Sequence, residues 1–88
     1  MRFEALEIFL MVAAQGSISA AAKSCYLSQP AVSTSVSMLE KELGKTLLVR
    51  TSGQRTPLKL TDEGTIFVDF ARKALADYNK MKSSLLAV

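Results

Sequence analysis

The fold is decided by residues 16–51, which read GSISAAAKSCYLSQPAVSTSVSMLEKELGKTLLVRT. The alanine-rich first part predicts a short helix that begins near Ser19, a good N-cap, and ends around residues 24–25. A two-residue turn follows, and Ser28 is then placed to cap a further helix with Pro30 in its first turn. Two helices joined by so tight a turn predict a helix-turn-helix.

The helix after Ser28 has an apolar stripe on one face and polar residues on the other. The stripe recurs at helical spacing and consists of Val32, Val36, Leu39 and Leu43. The opposite face carries Pro30, Thr34, Ser37, Met38 and Lys41, with Gln29 and Ser33 on its flank. A helix of this kind fits the major groove of DNA and offers donors and acceptors to base edges. Gln29 suits bidentate pairing with adenine, whereas Ser33 and Thr34 can reach a base or a phosphate.

The flanking segments complete a mainly α fold with a β-wing. We expect a first helix over about residues 3–15, ended by Gly16. After Gly44, the β-prone residues 47–49 and 58–60 predict two short strands. The polar, basic segment between these strands predicts a wing tip that contacts the DNA backbone or minor groove. The wing residues expected to make these contacts are Arg50, Thr51, Ser52, Gln54 and Arg55.

A long last helix is expected to begin after Thr61, with Asp62 and Glu63 in its first turn as partners of the helix dipole. Apolar residues then recur at alternating spacings of four and three, which is typical of a coiled-coil seam. The seam consists of Phe67, Ala71, Ala74, Tyr78, Met81 and Leu85. The sequence therefore predicts a winged domain over residues 1–60 and a pairing helix over residues 61–88. The alternative is that residues 67–74 pack on the domain's own core.

The distribution of charge suits a polyanionic partner. The 88 residues carry a net charge of +3. Residues 23–59 contain six basic and two acidic side chains, a local charge of +4, and the remainder contains five basic and six acidic ones, a charge of −1. A basic middle between nearly neutral ends indicates a surface that contacts nucleic acid.

The composition excludes several classes of function. The chain contains no histidine and one cysteine, Cys25, which removes the usual zinc sites and cysteine-histidine nucleophile pairs. We interpret Cys25 as a small buried residue, and we expect no metal site, no cofactor and no enzymatic activity. No apolar run approaches the ~18 residues that cross a bilayer. We therefore expect a cytoplasmic protein without membrane contact.

Taken together, these motifs resemble the N-terminal region of LysR-type transcriptional regulators of bacteria. The matching positions are Gly16, Ala21, Ala22, Ser28, Gln29, Pro30, Ala31, Ser33, Leu39, Glu40, Leu43, Gly44, Arg50, Leu60, Thr61 and Gly64. The resemblance implies binding to double-stranded DNA at imperfect dyads near promoters. It also implies a homodimer through the linker helix, with a tetramer possible in the full-length protein. A C-terminal effector domain that binds a small co-inducer is expected to lie outside this chain.

Two departures from the family pattern concern the DNA-reading residues. The family usually has Arg or Gln early in the recognition helix, where this chain has Thr34, Ser35 and Ser37. The wing is also longer than the family norm, so that recognition is expected to rely more on the wing. A coiled-coil adaptor that binds no DNA is the alternative function, and the polar face with Gln29 and Pro30 argues against it.

Overall fold

The protein is a winged helix-turn-helix with a long last helix, which confirms the fold class predicted from the sequence. A computed structural model describes residues 1–49 and 58–88. Within these residues the elements follow in the order α1 (Phe3–Gln15), α2 (Ile18–Cys25), α3 (Gln29–Leu43), β1 (Leu48–Val49), β2 (Lys59–Leu60) and α4 (Asp62–Leu86). The strands pair antiparallel, with Leu48 opposite Leu60 and Val49 opposite Lys59.

Local capping residues fix most helix ends where the sequence predicted them. α1 ends at Gly16, which adopts the left-handed conformation with φ 68°. The hydroxyl groups of Ser28 and Thr61 each accept the backbone N–H three residues further on, at 3.2 and 2.9 Å. These bonds satisfy donors that the first turn of a helix cannot pair internally.

The start of α2 is the exception. The sequence predicted Ser19 as its N-cap, but it is the hydroxyl of Ser17 that accepts the N–H of Ala20, at 3.1 Å. Ser17 has the extended backbone that an N-cap requires, so the helix begins at Ile18 and includes Ser19. The earlier start leaves the Ser19 hydroxyl available for another partner.

One hydrophobic core joins the helices to the first strand. Its buried members are Leu6, Ile8, Phe9, Val12, Ala21, Ala22, Val32, Val36, Leu39, Leu47, Leu48, Phe67, Val68 and Ala71. The rings of Phe9 and Phe67 meet edge to face, with centroids 5.1 Å apart. Leu43 was predicted to share the buried stripe of α3, but it lies in the last turn, beyond the stripe, and is exposed.

The backbone of Leu47 connects the base of the wing to two helices. Its N–H donates to the Glu40 carboxylate of α3 at 2.7 Å, and its carbonyl accepts the N–H of Thr61 at 3.0 Å. A Cβ atom at Gly64 would overlap the Leu47 carbonyl oxygen, so that only glycine lets α4 approach this closely. In residues 1–49 and 58–88, no helix is both long and apolar enough to cross a membrane.

Replacing Gly64 by Ala is expected to lower the free energy of unfolding by about 3 kcal/mol, because the added methyl group meets backbone that cannot rotate away. Gly44→Ala is the matched control: its added Cβ meets no atom within 4 Å, but its φ of 67° is strained for alanine. We expect the free energy of unfolding of Gly44→Ala to fall by about 1 kcal/mol. Urea denaturation measures both, and a Gly64→Ala protein as stable as the parent chain would contradict the close approach.

Candidate nucleic-acid interface

A short, rigid turn sets the angle between α2 and α3. Tyr26 adopts the left-handed conformation with φ 57° and ψ 39° and ends α2. The N–H of Leu27 donates to the Ala22 carbonyl at 2.9 Å, and this hydrogen bond closes the last turn of the helix. Ser28 then caps α3 directly. Because both sides of the turn are capped, the start of α3 has a fixed position relative to α2.

The face of α3 predicted to read DNA points away from the core. Val32, Val36 and Leu39 are buried on the inner side. The predicted DNA-contacting residues that are exposed are Ser28, Gln29, Pro30, Thr34, Ser37 and Lys41. Ser33 is half-buried on the flank of the same face. The turn brings these polar side chains together along one exposed helix surface.

The side chain of Gln29 is held by α2. Its Nε2 donates to the Ser19 hydroxyl at 3.3 Å. A primary amide has two N–H donors and a carbonyl acceptor, so this bond uses one donor of Gln29 and leaves the other donor and the acceptor, the pair that would match the major-groove edge of adenine. Sequence reasoning missed this role of Ser19 because it treated the residue as a helix cap.

Most of the helix-turn-helix, up to Leu39 in α3, has no acidic side chain. No Asp or Glu occurs from Ile8 to Leu39, a stretch that contains seven serines, one threonine and one tyrosine. Lys23, in the last turn of α2, is its only basic residue. A surface with many neutral donors and no carboxylate can approach phosphates without charge repulsion.

The acidic residue that follows this stretch, Glu40, is turned toward the wing. Its Oε2 accepts the N–H groups of Leu47 and Leu48, at 2.7 and 3.3 Å. The carboxylate thereby fixes the start of β1 relative to α3. Sequence reasoning recognised Glu40 only as part of a motif, since its partners lie seven and eight residues away in a different element.

The base of the wing is also attached to the α1–α2 junction. The N–H of Leu58 donates to the Gly16 carbonyl at 3.1 Å, and the exposed Lys59 follows it in β2. The predicted wing contacts of Arg50, Thr51, Ser52, Gln54 and Arg55 lie outside the described residues, as does the extra wing length.

The predicted seam of α4 is corrected in its first half. Phe67 and Ala71 are 6% and 0% exposed, and Ala74 is half-buried against the same core. These side chains face α1 because α4 packs along that helix, so Phe67 and Ala71 have no surface left for a second chain. The alternative stated for residues 67–74 therefore describes this part of α4.

The second half of α4 retains exposed apolar residues. Tyr78 stacks on Phe3 with ring centroids 4.6 Å apart, and it is 37% exposed. Met81 and Leu85 are exposed further along the helix, and Phe70 is exposed before them. At ~100° per residue, Phe70, Met81 and Leu85 lie on one side of α4. Phe70 was missed because the heptad pattern was started at Phe67.

Comparison with known proteins agrees with this architecture, which is that of a winged helix-turn-helix DNA-binding domain. A family model described as bacterial regulatory helix-turn-helix protein, lysR family, matches residues 3–65. The HTH-type transcriptional regulator ClcR of Pseudomonas putida is 39% identical over 75 residues, which cover 85% of this chain and 24% of ClcR. The regulator CrgA of Neisseria meningitidis is 38% identical over 85 residues, which cover 97% of this chain and 27% of CrgA.

Solved structures give the same result. The BenM DNA-binding domain in complex with catB site 1 DNA has a TM-score of 0.91 and 36% identity, covering 99% of this chain and 94% of that one. The CbnR DNA-binding domain in complex with DNA has a TM-score of 0.83 and 34% identity over the whole of both chains. This chain belongs to the LysR family of bacterial helix-turn-helix regulators, which confirms the resemblance. It spans about a quarter of the length of the curated relatives it matches.

Removing the charge of Glu40 is expected to destabilise the fold. Glu40→Gln replaces a carboxylate that accepts two backbone N–H groups, and we expect a loss of about 1.5–3 kcal/mol in the free energy of unfolding. Glu42→Gln is the control, because Glu42 is an exposed residue that pairs with the N-terminal ammonium at 3.0 Å. The Glu42→Gln protein should lose less than about 1 kcal/mol in the free energy of unfolding. Equal losses in the two variants, measured in urea, would contradict the role given to Glu40.

Proposed function

We propose that this chain binds double-stranded DNA in a sequence-specific manner, with α3 in the major groove and the wing on the backbone or minor groove. The observation that carries the proposal is the exposed polar face of α3, which has no carboxylate from Gln29 to Leu39 and begins directly at the capped turn after α2. The structures of the BenM and CbnR domains with DNA support it, since their fold is the same. Binding, rather than catalysis, is the activity we assign.

The start of α3 provides the base-reading groups in this proposal. Gln29 presents an amide that Ser19 orients, and an amide of this kind pairs with adenine through two hydrogen bonds. The backbone N–H groups beside Ser28 lie at the positive end of the helix dipole, which favours a phosphate oxygen. Ser33 and Thr34 follow one turn later with hydroxyl groups that can bond to bases or phosphates.

Recognition by this helix relies on neutral side chains. Between Gln29 and Met38 there is no charged residue, and Lys41 lies in the last turn. Neutral donors fix register and hydrogen-bond pattern, but they displace few counterions. We therefore assign most of the salt dependence of binding to the basic wing, where Arg50 and Arg55 are the predicted phosphate or minor-groove contacts.

We further propose that two copies pair through α4 and so place two recognition helices on an imperfect dyad. The exposed apolar face of Phe70, Met81 and Leu85 supports this, because pairing would remove it from water. The proposed seam keeps Tyr78, Met81 and Leu85 from the sequence pattern, and Phe70 takes the place of the buried Phe67. A dimer reads DNA half-sites separated by about one helical turn or a multiple of it.

The biological role follows from the family. We propose that the chain regulates transcription from nearby promoters in the bacterial cytoplasm, as the DNA-binding part of a LysR-type regulator. Control by a small co-inducer through an effector domain, and tetramer formation in the full-length protein, remain predictions from the family resemblance.

Replacing Gln29 by Ala is expected to weaken binding to the preferred duplex by about 1–3 kcal/mol and to relax the preference at one base pair. Ser19→Ala, which frees the amide of Gln29 from α2, should give a smaller loss at the same base pair. Sequencing the duplexes that each protein selects from a random pool measures both effects. If the Gln29→Ala protein selects duplexes with an unchanged base preference, Gln29 does not read a base.

The pairing face is tested with the double variant Met81→Asp/Leu85→Asp. Each fully buried Leu or Met contributes about 1.5–3 kcal/mol before ordering costs, so two carboxylates on this face should give a monomer. Binding to a duplex with two half-sites should weaken, while binding to a single half-site should change little. The measurement is sedimentation at several protein concentrations.

A matched control adds the same charges elsewhere on α4. Ala76→Asp/Ser83→Asp alters exposed residues on the opposite side of the helix, at ~100° per residue. This variant should remain a dimer. If the Met81→Asp/Leu85→Asp protein also sediments as a dimer, the interface lies elsewhere.

A further inference from the structure

The turn between α2 and α3 carries an unusually exposed aromatic residue. Tyr26 is 95% exposed, although it lies between two capped helices. Its backbone N–H donates to the Lys23 carbonyl at 3.3 Å. Its side chain has no hydrogen bond, ion pair or ring contact with any residue in the described part of the chain. The ring therefore contributes no contact that holds the described fold together.

The backbone conformation of Tyr26 is also unfavourable for this residue type. Among the described residues other than glycine it alone has a positive φ, 57°. The left-handed region suits glycine and asparagine, whereas a tyrosine there is strained. The turn requires this backbone conformation, but a tyrosine side chain that points into solvent makes no contact with the described residues that offsets the strain. A role outside the folded chain accounts for both features.

The surroundings of Tyr26 indicate a phosphate as its partner. Its Cα atom lies at most about 7 Å from that of Ser28, because only Leu27 separates them. Lys23 is exposed one turn earlier, and the stretch from Ile8 to Leu39 has no carboxylate. The phenol hydroxyl is thus a neutral donor beside the base-reading start of α3. Tyrosine hydroxyl groups are common donors to the phosphates that flank a reading helix.

We propose that Tyr26 is a DNA-backbone contact: its hydroxyl donates to a phosphate oxygen next to the start of α3, and its ring lies against the adjoining sugar. The inference rests on the proposed DNA binding and adds a residue that the sequence pattern did not include. The contact does not depend on base identity, so it positions α3 in the groove and does not itself read sequence.

The first test separates the hydroxyl from the ring and from the backbone strain. Tyr26→Phe keeps ring and backbone, and we expect its Kd for a labelled duplex selected from a random pool to rise about two- to tenfold. A scrambled duplex should be affected by the same factor, and the salt slope should not change, because a neutral donor displaces no cation. Tyr26→Asn should weaken binding while raising Tm by a few degrees, since it relieves the strain.

The second test asks whether a phosphate lies within reach. Tyr26→Arg should steepen the dependence of log K on log salt by about one unit. The control Ser83→Arg adds the same charge at an exposed position near the end of α4, and it should leave the slope close to that of the parent chain. Fluorescence anisotropy at several salt concentrations measures all the variants.

The outcomes separate this inference from the proposed function. If the parent chain binds no duplex, DNA binding itself fails and this inference fails with it. A second outcome is that the parent chain binds while Tyr26→Phe has the same Kd as the parent and Tyr26→Arg has the same salt dependence as Ser83→Arg. In that case only the contact is overturned. The exposed ring would then be assigned to a protein partner. Weaker duplex binding by Tyr26→Phe, together with a steeper dependence of log K on log salt for Tyr26→Arg, establishes the contact.

Discussion

The position of Leu47 is the constraint on which the arrangement of the interface depends. Its N–H is bound by the Glu40 carboxylate of the recognition helix, its carbonyl by the start of α4, and its side chain is buried in the core. Gly64 must lack a side chain for α4 to reach this point. One peptide segment therefore fixes the recognition helix, the wing base and the pairing helix relative to one another. A dimer built on α4 can hold two recognition helices at a defined spacing only because this junction is rigid.

The second feature of the interface is that it combines rigidity with low charge. The turn between α2 and α3 is closed by backbone hydrogen bonds on one side and by Ser28 on the other. The face it presents has hydroxyl and amide groups, and it has no carboxylate from Gln29 to Leu39. Such a surface gains specificity from the directions of hydrogen bonds, while long-range attraction has to come from basic residues elsewhere. The proposed division of roles between α3 and the wing rests on this composition.

The sequence predicted those features that local signals determine. Ser28, Gly16 and Thr61 marked helix ends correctly because a cap involves residues only a few positions apart. Two serines spaced two residues apart made the cap of α2 ambiguous, and the wrong one was chosen. The exposed face of α3 followed from its periodicity.

The remaining features depend on contacts between distant residues. A heptad pattern shows that one side of α4 is apolar, but it does not say whether α1 or a second chain covers that side, and Phe67 was misassigned for this reason. The bonds from Glu40 to the wing base and from Gln29 to Ser19 likewise could not be predicted from spacing.

The most direct test of the proposed DNA interface is an NMR titration of the chain with a duplex selected from a random pool. The account predicts that the largest amide shifts fall on residues 26–37, at the turn and the first half of α3. Shifts confined to the exposed face of α4, or none at saturating duplex, would contradict it.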